Sequence, residues 1–250
     1  MPAARRQPRV AVVESVTRVT PRMLRIVFGG EGLAGFGAGE FTDHYVKLQF
    51  PDGERTRVRT YTVREWDGER LTIDFVVHGD EGVAGPWALS AQPGDGLQLM
   101  GPGGAYTPSP EADWHLMVGD PSVVPAISAS LARVLAGRPV HVLLQGADAD
   151  DEVALESPGD LRVRWLYERG DEVLADAVRK LDWPRGDVHA FVHGEASSVR
   201  AVRRLLLGER GLPRESVSIS GYWKRTRTEE GWRDDKPEWN RLVEADLAAA

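Results

Sequence analysis

The tetrapeptide Arg59-Thr60-Tyr61-Thr62 carries the side chains of this sequence that are best suited to binding chemistry. An arginine offers a fixed, positively charged fork that matches a phosphate group. The tyrosine, two residues later on the same face of an extended strand, adds a flat ring and a hydroxyl. A flavin nucleotide needs this combination, because it has a diphosphate to neutralise and a ring system to lie against. An ordinary barrel strand with one solvated arginine is the alternative that these four residues leave open.

A loop of small residues follows the next hairpin, with His78-Gly79 and then Gly82-Val83-Ala84-Gly85-Pro86-Trp87-Ala88. Small residues let backbone amides approach a diphosphate closely, and a proline at this point is typical of the first turn of a helix. By itself the loop is equally well explained as a structural turn. In combination with the tetrapeptide it favours a site for a flavin diphosphate, and Gly101-Pro102-Gly103-Gly104 indicates a further close approach of the backbone.

The second half of the chain has two loops at positions typical of nucleotide binding. Gly119-Asp120-Pro121-Ser122 follows one predicted strand and precedes a helix, and Gly194-Glu195-Ala196 does the same after a later strand. In a parallel sheet both loops lie at the carboxyl ends of the strands, where ligands bind. Arg200, Arg203 and Arg204 of the following helix are either near a nucleotide phosphate or on a solvated helix face.

A basic and aromatic segment runs from Gly221 to Trp232 and includes Trp223, Lys224 and Arg225. Alternating aromatic and cationic residues are typical of a nucleic-acid patch, but the net charge of −7 argues against that class of partner. The same composition suits a large, flat, anionic small molecule.

The elements that must position these residues fall into two groups. Up to about residue 100 the pattern predicts short strands bounded by Gly, Pro and Asp, and Asp67-Gly68 predicts a hairpin turn. Several such strands without a helical period indicate an antiparallel β-barrel. After the proline-rich stretch 106–110, strands alternate with helices, which indicates a parallel sheet with helices on both faces. The predicted fold is therefore a β-barrel domain (1–108), an α/β domain (109–222) and a tail (223–250) that is helical over 242–250.

Composition excludes several classes of site. The chain has no cysteine, so thiolate zinc sites, disulfides and Cys-ligated iron–sulfur clusters are absent, and an organic cofactor or the substrate must carry any redox chemistry. His189 and His193 lie on a predicted strand without the glutamate of a zinc-protease motif, so we expect no metal site. The basic N-terminus lacks the apolar segment of a secretory signal and no apolar run reaches membrane-spanning length. We therefore expect a cytoplasmic protein without membrane insertion.

These motifs, in this order, resemble the siderophore-interacting protein family, which comprises flavin-dependent ferric-siderophore reductases related to the ferredoxin–NADP reductase superfamily. The resemblance extends from about Arg9 to Trp232. Its most specific part is Gly221-Tyr222-Trp223-Lys224-Arg225 with Thr228-Glu229-Glu230-Gly231-Trp232, and Asp43-His44-Tyr45-Val46-Lys47 and Gly194-Glu195-Ala196 also fit.

The resemblance implies a role for each group of residues. The flavin of FAD is held by Arg59, Thr60, Tyr61 and Thr62, and its diphosphate and adenosine side by His78, Gly79, Ala84, Trp87 and Ala88. The NAD(P)H approach is lined by Asp120, Ser122, Gly194 and Glu195. An anionic ferric siderophore enters past Lys47, Lys224 and Arg225. No side-chain acid or nucleophile is needed for catalysis, because the cofactor carries the chemistry.

Two positions depart from the family pattern. The family usually has Gly-Asp-Glu-Thr where this chain has Gly119-Asp120-Pro121-Ser122, so an acidic side chain of the nicotinamide loop is absent. Gly85 stands where the family commonly has serine. Within the resemblance we expect a monomeric NAD(P)H-dependent reductase that releases Fe(II). Two alternatives stay open: a flavoprotein reductase of another acceptor, and a non-catalytic ferric-siderophore carrier.

Overall fold

The structure is a computed structural model and describes residues 8–37, 39–77 and 82–248. The chain divides into two compact units. The first comprises 1–107 and 125–130, and the second comprises 108–124 and 131–250.

The elements of the first unit are β1 (Arg9–Thr20), β2 (Met23–Gly29), β3 (Tyr45–Asp52), β4 (Arg55–Thr62), β5 (Glu65–Trp66), β6 (Leu71–Val76), α1 (Ala84–Ser90) and β7 (Gly96–Gly103). The seven strands form one antiparallel sheet in the order β4-β3-β7-β1-β2-β6-β5. The predicted hairpin turn is present, because Trp66 pairs with Leu71 and Gly68 has a φ of 106°.

The sheet closes on itself just after β4. The amide of Val63 donates to the carbonyl of His44 at 2.7 Å, and the amide of Arg64 donates to the carbonyl of Thr72 at 2.9 Å. The chain therefore crosses from the β3 edge to the β6 edge, and β4 comes into contact with β6. The inward-facing apolar side chains of β1, β2, β3, β6 and β7 form the barrel core, as expected from their alternation.

From Trp114 onwards, strands and helices alternate. The elements are β8 (Trp114–Gly119), α2 (Val124–Leu131), β9 (Pro139–Gln145), β10 (Asp160–Leu166), α3 (Val173–Arg179), β11 (Val188–Glu195), α4 (Ala196–Arg203), β12 (Val217–Trp223) and α5 (Glu229–Ala248). The five strands form a parallel sheet in the order β10-β9-β8-β11-β12. The central strand β8 is buried along its whole length, as is typical of a parallel sheet covered on both faces.

The predicted fold class, an antiparallel barrel followed by a parallel α/β sheet, is confirmed. In the second unit, α4 continues into a π-helical turn over Arg204–Glu209. The tail differs from its prediction, because α5 begins at Glu229 and contains Pro237, whereas the sequence predicts a helix only over 242–250. A proline normally ends a helix, so the pattern before Pro237 does not predict one.

Candidate functional site

Arg59 and Tyr61 share one face of β4. In the β3–β4 pairing, Arg59 lies opposite Leu48 and Tyr61 lies opposite Val46. Leu48 and Val46 are fully buried, and directly opposed residues of an antiparallel pair point to the same face. The guanidinium and the phenol therefore both project from the barrel-facing side of β4, as the alternation predicted.

The Tyr61 ring is held by aromatic neighbours. Its centroid lies 4.4 Å from that of Phe75 and 6.5 Å from that of Phe50. Trp87 of α1 joins the same cluster, with centroid distances of 5.5 Å to Phe50 and 5.9 Å to Phe75. Packing against the core thus fixes the orientation of Tyr61 before any ligand binds. The predicted FAD contacts of Tyr61 and Trp87 stay predictions.

The outer face of the same strands carries Lys47. It lies opposite Thr60, and both side chains are exposed. Thr62, opposite Tyr45, is buried. Lys47 makes no ion pair with any other residue that the structure describes, so its charge is open to solvent. The structure places Lys47 and Thr60 on the opposite side of the sheet from Arg59 and Tyr61.

The glycine-rich loop is described from Gly82 onwards, and the predicted ligands His78 and Gly79 lie outside the described residues. Gly82 has a φ of 83°, a conformation that favours glycine. Ala84 and Ala88 are buried on the inner side of α1. Their packing accounts for their small size, and their predicted contact with the FAD diphosphate stays a prediction.

Replacing Gly85 by serine is expected to tighten FAD binding. A Cβ at Gly85 would have no atom within 4 Å, so a serine fits and restores a hydroxyl beside the predicted diphosphate. One added hydrogen bond to a charged group lowers the dissociation constant by about tenfold. Fluorescence titration of the apoprotein with FAD measures this. Gly85→Ala is the control, because it adds the Cβ without the donor, and equal affinities for the two variants would contradict the prediction.

Asp120 links three strand ends of the parallel sheet. Its Oδ1 accepts the amide of Ser122 at 2.9 Å, and its Oδ2 accepts the amide of Glu195 at 2.7 Å and Nε1–H of Trp223 at 3.1 Å. The residue is only 7% exposed. Burial raises the pKa of the Asp120 carboxyl, and hydrogen bonds from Ser122, Glu195 and Trp223 oppose that rise. These acceptor positions are used within the protein, and direct contact of Asp120 with nicotinamide stays a prediction.

Glu195 is the second buried carboxylate at this edge, with 3% exposure. Its Oε2 accepts the amides of Ser197 and Ser198 at 2.8 and 2.9 Å, which caps α4. Its Oε1 accepts the amide of Arg225 at 3.1 Å. Gly194 is required beside it, because its φ is 126° and a Cβ there would collide with Oδ2 of Asp120.

Pro121 fits the nicotinamide loop without distortion. It occupies the first position of a short 3-10 turn over Pro121–Val123, with Asp120 as the N-cap. Proline is favoured at this position, since its missing N–H has no partner there in any case. The departure from the family pattern therefore leaves the loop intact and removes only an acidic side chain.

The basic segment after β12 presents two of the predicted siderophore contacts. Lys224 is half-buried and has no ion pair with the described part of the chain. Arg225 forms an ion pair with Asp171 at 3.0 Å between Nη1 and Oδ1, and both side chains are about half exposed. A pair this exposed contributes little to stability, so both cations are accessible to an anionic ligand.

Trp232 ends the basic and aromatic segment that the sequence predicts to suit an anionic small molecule, but its side chain is buried. It is 3% exposed and packs edge-on against Trp239, at 5.6 Å between centroids. A Cβ at Gly221 would stand 3.0 Å from the Trp232 ring, so a larger residue there would require the ring to shift. The spacing of Trp232, Trp239 and Val243 is helical and could have revealed this buried face of α5.

The three arginines of the α4 region have partners inside the protein. Arg200 forms a bidentate pair with Asp246 at 2.6 and 2.7 Å. Arg203 is buried and donates to the carbonyl of Val243, and Arg204 pairs with Glu172 at 2.7 Å. The phosphate-binding interpretation of these arginines is therefore not supported, because they hold α5 and the segment before α3.

His193 is buried next to this edge as a neutral residue. Its ring nitrogens lie 3.1 Å from the Tyr222 hydroxyl and 2.9 Å from the Ser218 hydroxyl, and the ring stacks on Phe191. Burial, assisted by the charge of Lys236, lowers the pKa of His193 to about 3.

The pH dependence of stability should report this histidine. Its pKa is lower in the folded than in the unfolded protein, so its contribution to stability is present above the unfolded value of 6.5 and is lost as the pH falls toward about 3. Below pH 6 it removes about 1.4 kcal/mol of unfolding free energy per pH unit. Urea unfolding at about pH 6 and about pH 5 gives the change in unfolding free energy per pH unit. This change should be smaller by the same amount in His193→Gln than in the wild type. Equal slopes would contradict the buried neutral state.

Two family models together match most of the chain. The model described as "Siderophore-interacting FAD-binding domain" matches residues 12–58 and 49–106, and the model described as "Siderophore-interacting protein" matches residues 112–226. The chain belongs to the siderophore-interacting protein family.

Individual relatives of this siderophore-interacting protein agree over nearly the full length. The ferric vibriobactin reductase ViuB of Vibrio cholerae is 36% identical, over 87% of this chain and 90% of its own. The NADPH-dependent ferric-chelate reductase of Escherichia coli is 32% identical, over 86% of this chain and 92% of its own. The crystal structure of a siderophore utilization protein from T. fusca superposes with a TM-score of 0.78 at 34% identity, covering 89% of this chain and 94% of that one.

The described part of the chain contains neither a candidate metal cluster nor a candidate membrane-spanning helix. Among residues 8–37, 39–77 and 82–248, no group of three or more His, Asp or Glu side chains is arranged to hold a metal ion. Within the same ranges no helix is both long and apolar enough to cross a membrane.

Proposed function

We propose that this chain is an FAD-dependent reductase of ferric siderophores that takes its electrons from NAD(P)H and releases iron as Fe(II). The observation that carries the proposal is the shared face of Arg59 and Tyr61 on β4, within the matched FAD-binding domain. A guanidinium and an oriented phenol two residues apart can bind the diphosphate and the ring system of the same cofactor.

The residues of the barrel fit FAD by their chemistry. Arg59 is half-buried and keeps its guanidinium near the backbone, with Nη1 donating to the carbonyl of Val58 at 3.1 Å. Tyr61 is held by Phe75, and the buried hydroxyl of Thr62 follows it. FAD, when bound, supplies the conversion of a two-electron hydride donation into one-electron reductions of ferric iron. The chain's own contribution is to bind and orient the flavin and to exclude water from its ring.

Reduction is an effective way to release iron from a siderophore. Hard oxygen donors hold Fe(III) more tightly than Fe(II), so adding one electron loosens the complex. The protein then needs no side chain that ligates iron. A basic entrance suffices. We propose that Lys224 and Arg225 of the α/β unit supply it, and that Lys47 of the barrel, considered by itself, also attracts an anionic complex.

The carboxyl edge of the parallel sheet is the proposed approach for NAD(P)H, with Asp120, Ser122, Gly194 and Glu195 shaping the backbone there. The E. coli relative is named for its use of NADPH, and we propose NADPH as the donor here. The intact turn at Pro121 argues against a carrier whose nicotinamide loop has been disabled.

Replacing Lys224 by alanine should weaken binding of an anionic ferric complex several-fold at low salt, with a smaller effect at high salt because ions screen exposed charges. The measurement is the dissociation constant of an iron(III) tris-catecholate at two ionic strengths. Lys180→Ala is the matched control, because it removes an exposed lysine from the same unit. Equal effects of the two substitutions would remove Lys224 from the entrance.

We also propose that the barrel and the α/β sheet act as FAD-binding (1–108) and NAD(P)H-binding (109–222) domains of a cytoplasmic monomer. Sedimentation analysis of the FAD-loaded protein tests the oligomeric state, and cell fractionation tests the compartment.

The reductase proposal is tested by anaerobic titration. The purified protein should be yellow or should become yellow on reconstitution with FAD, and NADPH should bleach the flavin absorbance. Addition of a ferric siderophore should restore it. A protein that takes up no FAD, or whose flavin neither NADPH nor NADH bleaches, would contradict the proposal.

A further inference from the structure

Two buried carboxylates hold the residues on both sides of Lys224. Nε1–H of Trp223 donates to Oδ2 of Asp120 at 3.1 Å, and the amide of Arg225 donates to Oε1 of Glu195 at 3.1 Å. Lys224 lies between these two anchors without an ion pair of its own in the described chain.

We propose that Asp120 and Glu195 are positioning residues that hold Trp223-Lys224-Arg225 in the conformation that receives the ferric siderophore. This rests on the proposed function, in which Lys224 and Arg225 form part of the basic entrance. It assigns to the two carboxylates a task on the siderophore side, in addition to their predicted place in the nicotinamide approach.

The backbone around the anchors supports this role. Trp223 pairs with Glu195 across a register shift between β11 and β12, so the chain leaves the sheet at this point. The amide of Arg227 then donates to the carbonyl of Lys224 at 3.1 Å, and Thr226 has a φ of 65°. A β-branched residue rarely adopts that conformation, so the turn requires external support. The anchors at Trp223 and Arg225 supply it at the start of the turn.

The exposed ion pair between Arg225 and Asp171 is a weaker support. Their side chains are 48% and 53% exposed, and water and salt compete with such a pair. Asp120 and Glu195 are buried, where a lost hydrogen bond is not replaced by water. Because of this difference in burial, loss of a buried anchor and loss of the exposed ion pair should have effects of different size.

Glu195→Gln tests the anchor selectively. A carboxamide has one oxygen, and the two α4 amides of Ser197 and Ser198 compete for it against the single amide of Arg225. The variant should therefore keep the helix cap and lose the Arg225 bond. Hydrogen exchange of the peptide covering 223–228, in the full FAD-loaded chain, should become about tenfold faster. Asp171→Asn is the matched control and should change that exchange by less than about threefold.

Trp223→Phe is the second variant, because it removes the indole donor to Asp120 and keeps an aromatic ring. It should also accelerate exchange over 223–228, and it keeps the test open if Glu195→Gln does not fold. In both variants the dissociation constant of an iron(III) tris-catecholate, measured without NADPH, should rise by about tenfold, since binding must then order the segment.

Two results would overturn the inference. Unchanged exchange over 223–228 in both variants would show that the carboxylates do not hold the segment. Faster exchange with unchanged affinity for the ferric complex would show that the held segment is not where the complex binds. Failure of the proposed function looks different, because the wild-type protein itself would then bind no FAD or no ferric complex.

Discussion

Arg59→Ala is expected to yield a folded protein that has lost most of its affinity for FAD. Arg59 projects from the barrel-facing side of β4 together with Tyr61, so its guanidinium is the cation that we place on the diphosphate. Removing one partner of a hydrogen-bonded charge pair costs about 2–4 kcal/mol of binding free energy. The dissociation constant of FAD should therefore rise by about 30-fold to 1,000-fold, measured by fluorescence titration of the apoprotein.

Two control variants distinguish a specific contact between the Arg59 guanidinium and the diphosphate from a nonspecific effect of positive charge. Arg57→Ala removes an arginine from the same face of the same strand, where it pairs with exposed Asp52 at 2.8 Å, and should change FAD affinity little. Arg59→Lys keeps the charge but loses the planar fork, so its affinity should lie between those of the wild type and the alanine variant. Equal losses in Arg57→Ala and Arg59→Ala would contradict a specific diphosphate contact.

Trp232→Ala is expected to destabilise the α/β unit severely while leaving the barrel residues of the FAD site in place. Trp232 is buried between Trp239 and the Cα of Gly221, and Lys236 donates to the carbonyl of Gly221 at 2.9 Å beside it. Removing a buried tryptophan leaves a cavity that costs about 3–5 kcal/mol of unfolding free energy. Urea unfolding followed by circular dichroism measures this loss.

Leu242→Ala is the matched control for that experiment. Leu242 lies on the same helix, α5, but is 42% exposed, so its truncation should change the unfolding free energy by no more than about 0.5 kcal/mol. A small loss in Trp232→Ala, similar to that of the control, would mean that Trp232 is not part of the core. It would then belong with the accessible aromatic surface at Trp223.

The local sequence pattern was sufficient to predict the strands and to predict that Arg59 and Tyr61 share one face. Alternation in β3 and β4 is a property of consecutive residues, and it correctly placed the two side chains on one side. The same holds for β8, whose apolar residues, interrupted only by His115, indicate a strand covered on both faces. In these elements the structure that the local sequence favours is the same as the one that the packing requires.

The hydrogen bonds of Asp120 and Glu195 could not be predicted in the same way. Asp120 binds the amide of Glu195, 75 positions later in the chain, and the indole of Trp223, 103 positions later. The order of the parallel strands brings these groups together, and a local sequence pattern does not predict that order. Their position at strand ends predicts that both residues lie in a ligand-binding region. It does not predict that their carboxylate oxygens already accept hydrogen bonds from neighbouring strand ends.

The tail shows a second limit. Pro237 reads as a helix breaker, yet α5 continues through it, because burial of Trp232, Trp239 and Val243 outweighs one lost backbone hydrogen bond. Sequence proximity groups Trp232 with the basic and aromatic segment 221–232, whereas the helical period of α5 turns its side chain into the core.

Transfer of electrons from the flavin to ferric iron is the central claim, and a single-turnover measurement tests it most directly. The FAD-loaded protein is reduced with one equivalent of NADPH without oxygen and mixed with excess iron(III) tris-catecholate and an Fe(II) chelator. Flavin absorbance should return as about two Fe(II) appear per flavin, because one hydride carries two electrons. A flavin that stays reduced, with no Fe(II) formed, would contradict the account.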